Sequence, residues 1–370
     1  MNERSKGDLP PLKIGNVEVP LPIVQGGMSV GISLSNLASA VTKAGGIGVI
    51  GGAGIGMLED DFDENPQEAN CRALRQEIKR AKEESEGPIG VNIMVALQDF
   101  GRLVEVAVQA GADLLFVGAG LPLGSFPFQK VQEAGVKTIP IVSSGRAAKL
   151  IFRYWSKRYE AVPDGLVVEG PLAGGHLGLK EEELIDPDHE LEKLLPRVQD
   201  AVKPYEEKFD KEIPIIAAGG IFTGEDIYRF IQLGASGVQM ATRFVATEEC
   251  DAARGFKEAY LKAEEEDIEI IESPVGLPGR AIKNGFLEAV ENGDKSPYIC
   301  NWQCLQGCDR QDAPYCILSA LKHAKLGQLE NGFAFAGANA YRLKELSSVP
   351  QLMDELVEGY RRRAVEGAKD

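Results

Sequence analysis

The stretch IPIIAAGGIFTGEDIYRFIQLGASGVQMATRF, residues 213–244, holds one full repeat of the pattern on which the fold depends. Ile213 to Ala217 is a short apolar run with the length of a buried strand, and Gly237 to Met240 is a second. Between them GEDIYRFIQLGA has helical periodicity, opens on small and capping residues and closes on glycine, as helix termini prefer. Working outward, the same unit recurs. Ile23 to Gln25, Gly48 to Ile50, Ile89 to Ile93, Leu114 to Val117, Thr138 to Val142 and Gly165 to Val168 are further strand candidates, separated by helical patterns such as SLSNLASAVTKAG and FGRLVEVAVQAGA. Eight parallel strands with crossover helices over about 250 residues close most simply into a (β/α)8 TIM barrel, an α/β fold that leaves no sheet edge exposed. An open doubly wound sheet is the alternative. The barrel is favoured because the first βα unit carries GGM at Gly26 to Met28 where a dinucleotide-binding sheet would carry GxGxxG.

The remaining segments read as insertions and appendages. Residues 51 to 70 follow the second strand, residues 177 to 196 the sixth, and residues 270 to 340 the eighth βα unit. The expected organisation is a barrel over 1–265, a lid or cysteine-rich small subdomain over 266–345, and a C-terminal helix over 346–370.

With 370 residues, 44% of them hydrophobic, the chain can bury a large core, and 26% charged with 7% aromatic residues is a globular balance rather than a disordered one. The net charge of −16 repels phosphate polymers and anionic lipid, so neither nucleic acid nor a membrane surface is an expected partner. The opening MNERSKGDLPPLKIGNVEVP lacks the apolar core of a secretory signal, and no window approaches about 18 consecutive apolar residues. Only six cysteines are present, four of them crowded together, which suits a site better than a disulfide framework. The expected location is a reducing cytoplasm.

In such a barrel the chemistry sits on the loops after the strands. AAGGI at Ala217 to Ile221 and QMATRF at Gln239 to Phe244 follow the seventh and eighth strands, the usual phosphate cradle of the fold, where glycine admits phosphate oxygens to backbone N–H groups. Thr242 can add a hydroxyl; Arg243 either adds charge or pairs with a surface carboxylate. VVEGPLAGGHLG, Val167 to Gly178, brings His176 to the barrel mouth between glycines, where an imidazole can donate or accept a proton. His189 and His323 have no comparable setting.

Taken together, PIVQGGM, GVNIM, VVEGPLAGGHLG, AAGGI and QMATRF resemble the nitronate monooxygenase family, formerly called 2-nitropropane dioxygenases, which includes FMN-containing enoyl-acyl-carrier-protein reductases. The resemblance implies non-covalent FMN. By that likeness Gly26, Gly27 and Met28 back the isoalloxazine ring, Asn92 bonds its polar edge, Gly174 and Gly175 line it beside His176, and Gly219, Gly220, Ala241 and Thr242 hold the phosphate. EGPLAGGH departs from the commoner EGxEAGGH, leaving Leu172 where a carboxylate often stands. Two activities share these residues: oxidation of a nitronate to a carbonyl compound and nitrite, and reduction of an enoyl thioester with NAD(P)H or another electron donor. A flavin-binding barrel without turnover is the non-enzymatic alternative, and a colourless sugar-phosphate isomerase is a third.

Cys300, Cys304, Cys308 and Cys316 occur as C-x3-C-x3-C-x7-C. That spacing admits a [4Fe-4S] cluster held by the four thiolates, or a helix carrying the first three thiols on one face as small core hydrophobes.

Overall fold

The computed structural model describes residues 8–124, 126–294, 300, 302–308 and 313–367. Eight strands form the barrel: β1 (Ile23–Gln25), β2 (Gly48–Gly51), β3 (Ile89–Met94), β4 (Leu114–Gly118), β5 (Lys137–Val142), β6 (Leu166–Glu169), β7 (Ile215–Ala218) and β8 (Gly237–Met240). All neighbouring pairs are parallel, in the order β1-β8-β7-β6-β5-β4-β3-β2. The ring is closed between β1 and β2 by Ile47 N–H to Ile23 O and Gln25 N–H to Ile47 O, both 2.9 Å. The expected (β/α)8 TIM barrel is therefore the observed fold.

Because both faces of such a strand are covered, the strands are almost wholly buried, which is why their sequences read as continuous apolar runs. One face points into the barrel, where Val24, Val49, Leu114, Phe116, Ile139 and Val167 pack together. The other packs against the helices. Close contact there is allowed by small residues: a Cβ on Gly48 would lie 1.9 Å from Ala38 O of the helix Ser35–Lys43.

A short antiparallel hairpin, Leu12–Ile14 with Val17–Val19, was not expected from the sequence; its Leu12, Ile14 and Val19 join the interior core and plug one end of the barrel. At the other end, β9 (Ile268–Glu272) and β10 (Pro278–Ile282) form an antiparallel pair, and β10 also pairs with the two-residue strand Gly175–His176 from the loop after β6. Around this sheet Leu287, Tyr315, Ile317 and Phe333 make a small separate core. The segment after it returns to the barrel, with Ala336, Ala340 and Leu343 in the main core.

The helix directly after β8 is only Thr242–Val245, and the C-terminal helix Val349–Gly367 fills the outer layer beside it. It packs against the helix Gly224–Gln232 through a glycine, since a Cβ on Gly224 would lie 2.2 Å from Leu356 O and 2.3 Å from Tyr360 N. Among the described residues no helix is long and apolar enough to cross a membrane.

Gly224 and Gly285 are both the first residue of a helix, and among the described residues nothing lies within 4 Å of a Cβ on Gly285. Gly224→Ala is expected to cost about 1–3 kcal/mol by forcing the two helices apart. Gly285→Ala should be neutral or slightly stabilising, because it only restricts the unfolded chain. Urea unfolding checks both: the midpoint falls for Gly224→Ala alone, with an unchanged slope.

Candidate active site

A cavity of about 520 Å3 opens at the C-terminal ends of the barrel strands. Its wall begins at Gly26, Gly27 and Met28 after β1 and includes Asn92 on β3, Glu169 at the end of β6, Gly174 to His176 in the following loop, and Ala241 and Thr242 after β8. The expected ring-lining residues are thus brought to one cavity. Gly219 and Gly220 are not part of its wall. Their φ values of +96° and +83° turn the chain after β7, where a Cβ on Gly219 would meet Gly170 O at 2.9 Å and one on Gly220 would meet the Leu172 side chain at 2.8 Å.

The cavity is built by close backbone approach. A Cβ on Gly27 would lie 2.4 Å from Asn92 Cβ, and one on Gly174 would lie 2.5 Å from Ala336 C and Gly337 N. Gly175, with φ +79°, has nothing within 4 Å of its missing Cβ. A flat, side-chain-free surface of this kind suits a planar ring, and the volume falls in the range of roughly 300–1,000 Å3 typical of small-molecule sites.

His176 is a strand residue here, aligned with Gly279 of β10. Its Nε2 is 2.7 Å from Ser273 Oγ, and its ring meets Phe335 edge-on at 4.9 Å between centroids. Burial pushes the imidazole down to about 4, so it is neutral at physiological pH. Glu169 is the opposite case: burial raises its carboxyl to about 7. Leu172 is 47% exposed and puts no carboxylate beside the histidine.

Arg243 takes the second of the two roles open to it. It forms an ion pair with Glu355 of the C-terminal helix at 2.6 Å, donates to Phe222 O at 3.0 Å and lies over the Phe222 ring at 4.7 Å. Thr242 faces the cavity and its Oγ accepts from Gly337 N–H at 3.3 Å.

Sequence reasoning missed several residues that shape the site. Arg280 is buried with no carboxylate partner among the described residues, donates to the carbonyls of Pro171 (2.6 Å) and Ala173, and so holds the loop that carries Gly174 and His176; burial lowers it to about 10. Asn339 donates to Gly220 O at 2.6 Å and, with Gly337, ties the late segment to the glycine turn. The run of small residues in FAFAGANA was the available signal for the second; nothing local marks the first.

The expected helical placement of the cysteines is corrected. Cys300, Cys304 and Cys308 lie in irregular chain rather than on a helix, and Cys316 stands just before the helix Ile317–Lys325. Among the described residues no group of three or more His, Cys, Asp or Glu side chains is arranged to hold a metal, so the [4Fe-4S] cluster has no support. Cys304 and Cys316 pack against the apolar cluster of Phe62 and Leu318, as the reading of these thiols as small hydrophobes expected. Burial there, together with the neighbouring Cys316, Cys300 and Cys308, pushes the Cys304 thiol up to about 12.

The nitronate monooxygenase family profile matches residues 11–359. A (3aS,4S,5R,7aS)-5-hydroxy-7a-methyl-1-oxo-octahydro-1H-indene-4-carboxyl-CoA dehydrogenase of Mycobacterium tuberculosis is 28% identical, over 74% of this chain and 66% of that one, so the chain spans just under two thirds of that relative's length. A probable nitronate monooxygenase of Staphylococcus aureus is 26% identical, over 76% of this chain and 81% of that one. Among solved structures, FabK from Thermotoga maritima superposes with a TM-score of 0.72 at 27% identity, covering 95% of this chain and 96% of that one. A nitroalkane oxidase from Streptomyces ansochromogenes, TM-score 0.70 at 23% identity over 95% and 98% of the two chains, shares the fold. With the profile running over nearly its whole length, the chain belongs to the nitronate monooxygenase family of oxidoreductases.

Proposed function

We propose that the protein is an FMN-dependent enzyme that oxidises alkyl nitronates to carbonyl compounds and nitrite. The observation that carries this reading is a neutral histidine, His176, on the wall of a glycine-lined cavity at the barrel mouth. When bound, FMN supplies the redox chemistry that no side chain provides. The residues present fit it: Gly26, Gly27, Met28, Gly174 and Gly175 offer backbone to a planar ring, Asn92 offers an amide to its polar edge, and Ala241 and Thr242 would hold the phosphate from the same wall. Gly219 and Gly220, at positive φ in the turn after β7, would add backbone N–H groups to that phosphate cradle.

A nitronate is an anion with its charge on the nitro oxygens. A neutral imidazole meets it with a hydrogen bond and without a competing proton equilibrium, and the walls of the cavity, mainly apolar, keep bulk water from the reacting carbon.

One observation favours a second reading. The cavity extends past Phe62, Leu97, Leu318 and Leu321, an apolar branch that suits the acyl chain of an enoyl thioester reduced by NAD(P)H. The FabK likeness supports the same alternative.

Anaerobic titration of the flavin-loaded protein separates them: bleaching by a nitronate supports the first activity, bleaching by NADH or NADPH the second. His176→Ala is expected to keep flavin absorbance while lowering kcat/KM by about 10²–10³, the usual loss for one donor to a developing charge. A flavin-binding barrel without catalysis would show no turnover in either protein.

Glu169 gives a test that needs no substrate. Its folded pKa lies above its unfolded value, so its contribution to stability is present below about pH 4.5 and is lost as pH rises through about 7. Glu169→Gln removes that dependence. In flavin-free protein the variant should melt at a higher temperature than wild type at pH 8, with the gap closing toward pH 5.

A further inference from the structure

The His176 ring is held from outside the barrel. Ser273 follows β9 and begins the turn into β10, and it is only 2% exposed. Its backbone is pinned by Ser273 N–H to Leu277 O at 3.1 Å and Gly276 N–H to Ser273 O at 2.9 Å. The hydroxyl oxygen receives Val275 N–H at 3.5 Å and lies 2.7 Å from His176 Nε2.

Donor and acceptor counting then decides the direction of that bond. Among the described residues, the hydroxyl hydrogen of Ser273 has one acceptor within reach, the Nε2 lone pair. If Nε2 carried the proton and donated it to Ser273, a buried hydroxyl hydrogen would be left without an acceptor, a loss of about 1–3 kcal/mol. With Oγ–H donating to Nε2, both groups are satisfied. A neutral imidazole has one N–H, so the hydrogen then sits on Nδ1. Nδ1 has no hydrogen-bond partner among the described residues, and His176 borders the cavity.

We propose that Ser273 is a positioning residue that locks His176 in the Nδ1–H tautomer, so that the ring presents a hydrogen-bond donor to an anionic oxygen of the substrate. This rests on the reading above that His176 meets substrate. It adds a role that the loop of His176 cannot supply by itself, because the partner lies 97 residues away in the chain. The Phe335 ring, edge-on to the imidazole at 4.9 Å, limits rotation of the ring out of this arrangement. The donor role also sets a limit on chemistry: with Nε2 engaged and Nδ1 protonated, the resting ring has no free lone pair with which to take a proton from carbon.

The experiment is nitrogen-15 NMR of histidine-labelled protein at pH 7, flavin-free and FMN-loaded, with the His176 signals assigned by their loss in His176→Ala. The expected result is an unprotonated, pyridine-like Nε2 and a protonated Nδ1 in wild type. Ser273→Ala should shift the ring toward the Nε2–H form and Ser273→Thr should restore the wild-type pattern. In turnover with whichever substrate bleaches the flavin, Ser273→Ala should lower kcat/KM at least about tenfold with flavin binding unchanged, and Ser273→Thr should recover most of it. A protonated Nε2 in wild type overturns the proposal, as does a tautomer or kcat/KM that Ser273→Ala leaves unmoved. If Ser273→Ala does not fold, the wild-type spectrum together with Ser273→Thr still decides the tautomer. Absence of any turnover in wild type counts against the functional reading alone, since the NMR signals report the tautomer without substrate.

Discussion

The backbone pairing of Gly175 and His176 with Arg280 and Gly279 is the contact from which the site takes its shape. The loop after β6 leaves the barrel through Gly170, Pro171, Leu172, Ala173 and Gly174, a sequence with few side chains to anchor it. Paired with β10, it becomes the third strand of a small sheet and acquires the rigidity of one. The Arg280 guanidinium extends the effect backward by donating to Pro171 and Ala173. A buried cation without a carboxylate is normally costly, and carbonyl oxygens pointing at it reduce that cost while fixing the chain that supplies them. The imidazole, its serine partner and the glycine face beside it all inherit their positions from this pairing.

A site made in this way needs two distant parts of the chain to approach at backbone distance, and the glycines mark where they do. Gly174 meets Ala336 and Gly337, while Gly27 meets Asn92; a side chain at either glycine would collide with something that cannot move. Asn339 and Gly337 carry the late segment onto the turn at Gly220 and onto Thr242, so the cavity wall is shared between the barrel loops and a segment about a hundred residues further on. The appended residues complete the site as well as cover it.

The barrel was legible because a parallel strand covered on both faces must be apolar along its length, and the helices between carry their own start and stop signals. All eight strands are found near their expected places. Local signals also placed Gly26 to Met28, Asn92, Gly174 to His176, Ala241 and Thr242 at one mouth, since each follows a strand. What the sequence hid depends on partners remote in the chain. The hairpin at Leu12–Val19 consists of three-residue strands, too short for periodicity to register. Arg280 and Ser273 look like ordinary residues of a loop until β10 pairs with the loop after β6. Arg243 could be assigned only once the C-terminal helix brought Glu355 to it. The i, i+4, i+8 spacing of the first three cysteines suggested a helix that is not formed, because spacing alone does not fix the backbone, while two of the four thiols do pack as apolar groups.

Burial acts on His176 and Glu169, two of the ionisable groups that line the cavity, in opposite directions and toward the same result. It pushes His176 down to about 4 and Glu169 up to about 7, because in each case the charged form is the one that loses its water. Between those values neither group carries a charge. A chain of net charge −16 would otherwise repel a small anion. Under the proposed nitronate reading, the anion would leave that field and enter a chamber where the histidine offers an N–H, Glu169 offers an O–H while it is protonated, and no carboxylate stands beside the histidine at Leu172. Desolvation, the same cost that makes buried polar groups rare, lowers the charge that His176 and Glu169 bring to the cavity of an acidic protein.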